Sequence, residues 1–186
     1  PLQLNALGTV NSTYTAVVRS RVDGQLMKIH FKEGQIVKEG QLLAELDARP
    51  YKAALLQAEG QLMRDSALLQ NAKIDLQRYR QLLEQNSIAK QQVDTQAALV
   101  KQYEGTVRLD QGAVDNAKLQ LTYSRITAPI SGRVGLRQVD LGNIVHATDT
   151  NGIVTITQEQ PIEVVFAVPE IERSQVLKAR ATNPNL

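Results

Sequence analysis

Between Pro50 and Leu121 the chain carries two ladders of branched apolar residues at strict seven-residue spacing: Leu55, Leu62, Leu69, Leu76 and Leu83, then Val93, Val100, Val107, Val114 and Leu121. A seven-residue step keeps one narrow stripe of an α-helix facing a partner helix. Leu83 with Val93, Leu76 with Val100, Leu69 with Val107, Leu62 with Val114 and Leu55 with Leu121 are all centred on residue 88. The ladders therefore run toward each other and match across one turn, which specifies an antiparallel helical hairpin over residues 50–122. At 1.5 Å per residue, arms of roughly 35 residues make a rod about 50 Å long. A rod of this size constrains everything else, because little of a 186-residue chain is left for other modules.

Three residues after each leucine a second seam position reads Ala58, Asp65, Ala72 and Tyr79, facing Ala117, Asp110, Tyr103 and Gln96. Ala72 opposite Tyr103 is size-complementary. Asp65 opposite Asp110 is not, since two buried carboxylates repel unless one takes up a proton. The pair reads either as a catalytic acid pair, for which nothing nearby would hold a substrate, or as a wetted edge of the seam with Arg64 and Arg108 within reach. Elsewhere the rod is rich in Gln with nearly balanced charge, so it offers no basic stripe for nucleic acid.

The segments flanking the rod are written as short strands. Leu2 to Val10 alternates and ends at glycine, and a second strand pattern follows in Ala16, Val17, Val18 and Val22 before Asp23-Gly24. Leu26, Ile29 and Phe31 come next, then the turns Glu33-Gly34 and Glu39-Gly40. After the rod the same writing returns. At one constant offset Gly132 falls on Gly24, Gly142 on Gly34, Ile144 on Ile36 and Val145 on Val37. This internal repeat predicts two half-modules, neither able to bury its apolar face alone, that pack into one β-sandwich with the rod inserted between them. The four repeat glycines, Gly24, Gly34, Gly132 and Gly142, are expected in matching turns. Strands between Gly152 and Phe166 and a short helix after Val168-Pro169 begin a further β domain, which the first strand joins. The expected fold is thus α+β: residues 1–14 and 158–186 in that flanking domain, 15–49 and 123–157 in the two half-sandwiches, and 50–122 in the hairpin.

Composition removes several function classes. The absence of cysteine excludes disulfides and thiolate chemistry, a net charge of +2 is too small to imply an anionic partner, and no apolar run is long enough to span a bilayer. The opening at Pro1, without a start methionine or signal core, reads as a processed or trimmed piece. His30 and His146, the only histidines, lack metal-ligand spacing and read as surface or packing residues. Gly132-Arg133-Val134-Gly135 lacks the helix that a phosphate loop needs. No catalytic, metal or cofactor site is expected.

The two halves, with Val22-Asp23-Gly24 and Gly34-Gln35-Ile36-Val37 in the first and Ala128-Pro129-Ile130-Ser131-Gly132-Arg133-Val134 in the second, resemble those of a biotinyl/lipoyl domain. In carriers of that family a modified lysine sits on the hairpin joining the halves. Here Ala48 holds its place and the rod replaces the hairpin; Lys28, in Met27-Lys28-Ile29, reads as an ordinary strand lysine. A split lipoyl domain, an inserted helical hairpin and a flanking split β-barrel together resemble the periplasmic adaptor, or membrane fusion, proteins of Gram-negative tripartite efflux pumps. Arg19-Ser20-Arg21-Val22-Asp23-Gly24 and Ser124-Arg125-Ile126-Thr127-Ala128-Pro129 are most similar to adaptors of resistance-nodulation-division (RND) transporters.

That resemblance implies a non-enzymatic protein of the periplasm, attached to the inner membrane. It would link an inner-membrane efflux transporter of the RND type to an outer-membrane channel of the TolC class, as a self-associating hexamer, a trimer of dimers. It also implies that the hairpin tip docks on the channel through an arginine, a leucine four residues on and a serine seven beyond. Arg78 and Leu82 match; Ala89 stands where the serine is expected, and Ser87 is available as a helix cap instead. Three alternatives stay open: an adaptor of an ABC or major-facilitator exporter, a lipoyl or biotin carrier, and a coiled-coil scaffold.

Overall fold

The computed structural model describes residues 8–167, and Leu177 beyond them. Two helices, α1 (Arg49–Glu84) and α2 (Lys90–Tyr123), form the antiparallel hairpin. Pro50 lies in the first turn of α1, where its missing N–H costs nothing. Leu76, Val93, Val100 and Val114 of the ladders are buried, and Leu55, Leu62, Leu69, Leu83, Val107 and Leu121 are half-buried. Near the tip Ala72, Leu76, Val93 and Val100 form one cluster, with Tyr103, Leu69, Leu83 and Ile88 against it. Each fully buried ladder residue contributes about 1.5–3 kcal/mol at most. Tyr79 is an exception to the expected seam: its ring is turned outward, and Gln96 opposite donates instead to the Ala72 carbonyl, 3.0 Å away.

The Asp65–Asp110 step of the seam is not a wetted edge. Asp65 is only 3% exposed. Arg64 Nε and Nη2 donate to its two carboxylate oxygens at 2.8 and 3.1 Å, and Gln61 Nε2 adds a third donor at 3.0 Å. Arg108 pairs with neither aspartate among the described residues. The Arg64 guanidinium holds the Asp65 pKa below the ordinary carboxylate range. Asp110, by contrast, is raised, first by burial and then by its hydrogen bond with Asp65. Of the two, Asp65 is favoured as the charged member and Asp110 as the one that takes up a proton more readily, which eases the repulsion the sequence poses.

The strands are β1 (Gly8–Ser12), β2 (Thr15–Val18), β3 (Gly24–Ile29), β4 (Ile36–Val37) and β5 (Leu42–Leu46) before the hairpin. After it come β6 (Arg125–Thr127), β7 (Gly132–Arg137), β8 (Ile144–Val145), β9 (Val154–Thr157) and β10 (Ile162–Phe166). β3 and β4 recur as β7 and β8 in the expected register, with β7 starting at Gly132 as β3 starts at Gly24. One sheet has the order β2-β9-β7-β4 and the other β6-β5-β3-β8. Each half of the repeat thus supplies two strands to each sheet, and the outer strands come from the opposite half to the inner ones. The shared core, Leu26, Val37, Leu43, Val134, Val145, Val154 and Ile156 among others, draws on both halves.

Two of the four repeat glycines are not in turns. Gly34 and Gly142 are, with φ of 76° and 90°. Gly24 and Gly132 open β3 and β7, and of the two only Gly132 is restricted by packing against the neighbouring strand. A Cβ on Gly132 would lie 2.4 Å from the Thr157 carbonyl oxygen. Gly152, which the sequence pattern did not single out, combines φ of 70° with a Cβ position 2.6 Å from Val17 Cγ1.

β1 pairs antiparallel with β10, Gly8 opposite Phe166 and Ser12 opposite Ile162, apart from the sandwich. Within the described residues the strand does not end at Gly8 but runs on through it to Ser12, the glycine lying close to its partner's main chain, where a Cβ would be 3.3 Å from the Val165 carbonyl oxygen. Residues 1–7 of the expected strand, and the expected helix after Val168 up to Leu177, lie outside the described residues. No helix among the described residues is long and apolar enough to cross a membrane.

Candidate functional site

The turn between the helices is built by main-chain geometry. Asn86 has φ of 54°, its N–H donates to the Leu83 carbonyl at 2.9 Å, and Ser87 N–H donates to the Leu82 carbonyl at 2.9 Å. These two bonds with a left-handed residue form a Schellman motif, which satisfies the last carbonyls of α1. Asparagine tolerates that conformation better than other non-glycine residues. Ser87 does not cap α2. Its hydroxyl is turned back toward the Gln85 carbonyl at 3.4 Å, and the cap position falls to Ala89, which has no side chain to donate or accept. The physical reason is the tightness of the Schellman turn, which spends Ser87 on ending the first helix.

Arg78 and Leu82 lie four residues apart on α1 and so share a face. Both are exposed, as are Ser87 and Ala89. Arg78 Nη1 donates to Asp75 Oδ1 at 3.3 Å, a pair with both side chains largely in solvent. Such a pair contributes little and leaves the guanidinium free to change partner. Leu82 is 37% exposed, although Leu83 beside it turns into the seam. The far end of the rod thus presents Arg78 and Leu82 on one face of α1, beside a small-residue turn, with Arg80 and Lys90 also exposed nearby.

At the near end the hairpin is fixed to the sandwich. Asp47 accepts from Arg49 N and Nε at 3.0 Å each, and from Nη2 at 2.7 Å. These bonds hold its pKa down at about 2. Tyr51 donates its hydroxyl to the Asp23 carbonyl, and Leu46 N–H donates to the Ser124 carbonyl at 2.9 Å. The helices consequently leave from neighbouring points of the two half-sandwiches. Lys28 is a strand residue opposite Glu45, and Ala48 is the residue before α1, so no lysine stands where a carrier domain would be modified. His30 pairs with Glu45 at 3.0 Å, and among the described residues no cluster of metal-ligating side chains forms.

A lipoyl-type sandwich whose halves are joined by a helical rod defines a membrane fusion protein fold. The family described as RND MFP, barrel-sandwich hybrid domain, matches residues 14–157, and the chain belongs to that family. It is 58% identical over 180 residues to the multidrug resistance protein MdtA of Pectobacterium carotovorum subsp. carotovorum (strain PC1), covering 97% of this chain and 44% of that protein. MdtA of Proteus mirabilis (strain HI4320) is 53% identical over 186 residues, 100% of this chain and 45% of the relative. The chain therefore spans less than half the length of these curated relatives. Among solved structures, a MacA-MexA chimera containing the Pseudomonas aeruginosa MexA α-hairpin domain matches with a TM-score of 0.58 and 28% identity, covering 90% of this chain and 56% of that one.

Proposed function

We propose that the chain is the adaptor part of a multidrug efflux assembly. It acts without catalysis, as a spacer in the periplasm between an inner-membrane RND transporter and a TolC-class outer-membrane channel. The observation that carries this reading is the rod itself, two helices that extend about 50 Å from the sandwich and end in an exposed tip with no other task in the fold. Family membership supports it, and so do relatives named for multidrug resistance. In this reading Arg78 and Leu82 meet the channel's helical end, with Ser87 and Ala89 forming the small turn that lets the helices approach. On the same reading the protein is attached to the inner membrane. Six copies, arranged as a trimer of dimers, would place the rods side by side, so that neighbours cover the faces a two-helix rod leaves open.

Site-directed cross-linking tests the reading. A cysteine introduced at Ser87 in the full-length protein should capture the outer-membrane channel, and one at Glu59, near the base of the rod, should capture neighbouring copies only. Capture of the channel from Glu59 and not from Ser87 would reverse the proposed polarity and sink the model.

A further inference from the structure

One end of the sandwich is open. β2 is an outer strand of one sheet and β6 an outer strand of the other, and the last turn of α2 lies beside both. The cleft between these three elements has a volume of about 640 Å³, within the range that accommodates small organic molecules. Leu121, Ile126 and Pro129 give it an apolar lining, and Arg19, Arg21 and Arg125 project at its walls.

What sets these three arginines apart is that they line one cleft together. Arg49, Arg64, Arg78, Arg133 and Arg137 each pair with a carboxylate. Among the described residues Arg19, Arg21 and Arg125 pair with none, as is true of Arg80 and Arg108, but only these three converge on one cleft. Arg21 lies over the Tyr123 ring, 4.9 Å from its centroid. Stacking uses the face of a guanidinium and leaves its in-plane N–H donors unspent. A ring holding the cation in place, with its donors unused, is pre-organisation for an anion.

We propose that this cleft binds an amphipathic organic anion, with its phosphate or carboxylate group held by Arg21, Arg125 and Arg19 and its apolar body against Leu121, Ile126 and Pro129. The occupant touches the edges of both sheets and the end of α2, so it braces the base of the rod against the sandwich. This site is independent of the tip and of whatever the tip docks on.

Calorimetry on the whole chain, with decyl phosphate below its micellar concentration as the probe, tests the proposal. Decyl phosphate should bind at least tenfold more tightly than inorganic phosphate, and decyltrimethylammonium, with the same tail and opposite charge, should not bind. Arg125→Ala should weaken decyl phosphate binding about tenfold or more, the loss expected for one charged hydrogen-bonding group. Arg108→Ala, an equal change of charge on α2 away from the cleft, should leave it unaltered. Arg21→Lys keeps the charge over Tyr123 but loses the fork, and should also weaken binding while the melting temperature stays near that of the parent. Sedimentation with phosphatidylglycerol vesicles, abolished by Arg125→Ala, would assign the anion to a lipid headgroup; binding of free decyl phosphate without sedimentation would assign it to a free molecule. Equal loss in Arg108→Ala and Arg125→Ala, binding of decyltrimethylammonium, or no preference over inorganic phosphate would each overturn the proposal.

Discussion

Gly132 begins β7 where Gly24 begins β3, one repeat apart, yet only Gly132 has another residue's carbonyl oxygen, that of Thr157, inside the space its Cβ would need. A Cβ on Gly24 would instead meet Leu46 at 3.4 Å, an ordinary contact. Gly132→Ala should therefore cost about 3 kcal/mol or more, since main chain on both sides must shift, while Gly24→Ala should cost under about 1 kcal/mol. Urea unfolding of the two variants separates them, and equal midpoints would show that the repeat's symmetry extends to its packing after all.

Asp110 and Asp65 give the rod opposing dependences on pH. Asp110 has a raised pKa, so its contribution is full below the ordinary carboxylate range and is lost as pH rises through the raised value. Asp65 is depressed, so its contribution is present above that range and lost as pH falls. Asp110→Asn, whose amide supplies a permanent donor toward Asp65, should abolish the loss of stability on raising pH and increase the melting temperature at pH 8. Melting curves from pH 4 to 8 check this; an unchanged slope on the alkaline side would show that Asp110 is ionised throughout.

Asn86 carries the turn in a conformation that costs most residues about 1–2 kcal/mol. Asn86→Gly should be neutral or slightly stabilising, and Asn86→Val destabilising by about 1–2 kcal/mol. Helix content followed during thermal melting is the measurement, and a stable Val variant would mean that the turn has an alternative conformation.

Arg78→Asp should abolish efflux by the full-length protein with helix content and melting temperature close to the parent. The exposed pair with Asp75 contributes less than about 1 kcal/mol, so folding has little to lose. Normal efflux in this variant would remove Arg78 from the docking surface, and so would a loss of efflux accompanied by unfolding.

The rod was readable because its signal is repeated: each of Leu55 to Leu83 reports the same face, and the matching valines report the partner. The half-sandwich repeat was readable for the same reason. Exchange of strands between the halves was not, because β2–β9 and β4–β7 pairing joins residues on opposite sides of the rod, and no local pattern records which edge meets which. At Asp65 the sequence shows Arg64 within reach but not that the two pair inside a buried seam; Gln61 one turn before it adds the further donor that makes burial tolerable. At the tip, attention to hydroxyl caps missed Asn86, where the left-handed preference of asparagine was the available signal. The cleft arginines come from segments either side of the rod, so their convergence exists only in three dimensions.

The bond from Leu46 N–H to the Ser124 carbonyl also bears on the order in which the molecule assembles. Pairing Thr15 with Thr157 directly would require closing most of the chain into a loop, with its entropic cost and slow search. Helices form fast and from local contacts. Once α1 and α2 zip together from the Asn86 turn, the two ends that must find each other already stand side by side, and the long loop has become a short one. The hairpin is then a folding device as well as the proposed spacer: a lesion in the ladders, far from any strand, should slow closure of the sandwich more than it weakens the finished one.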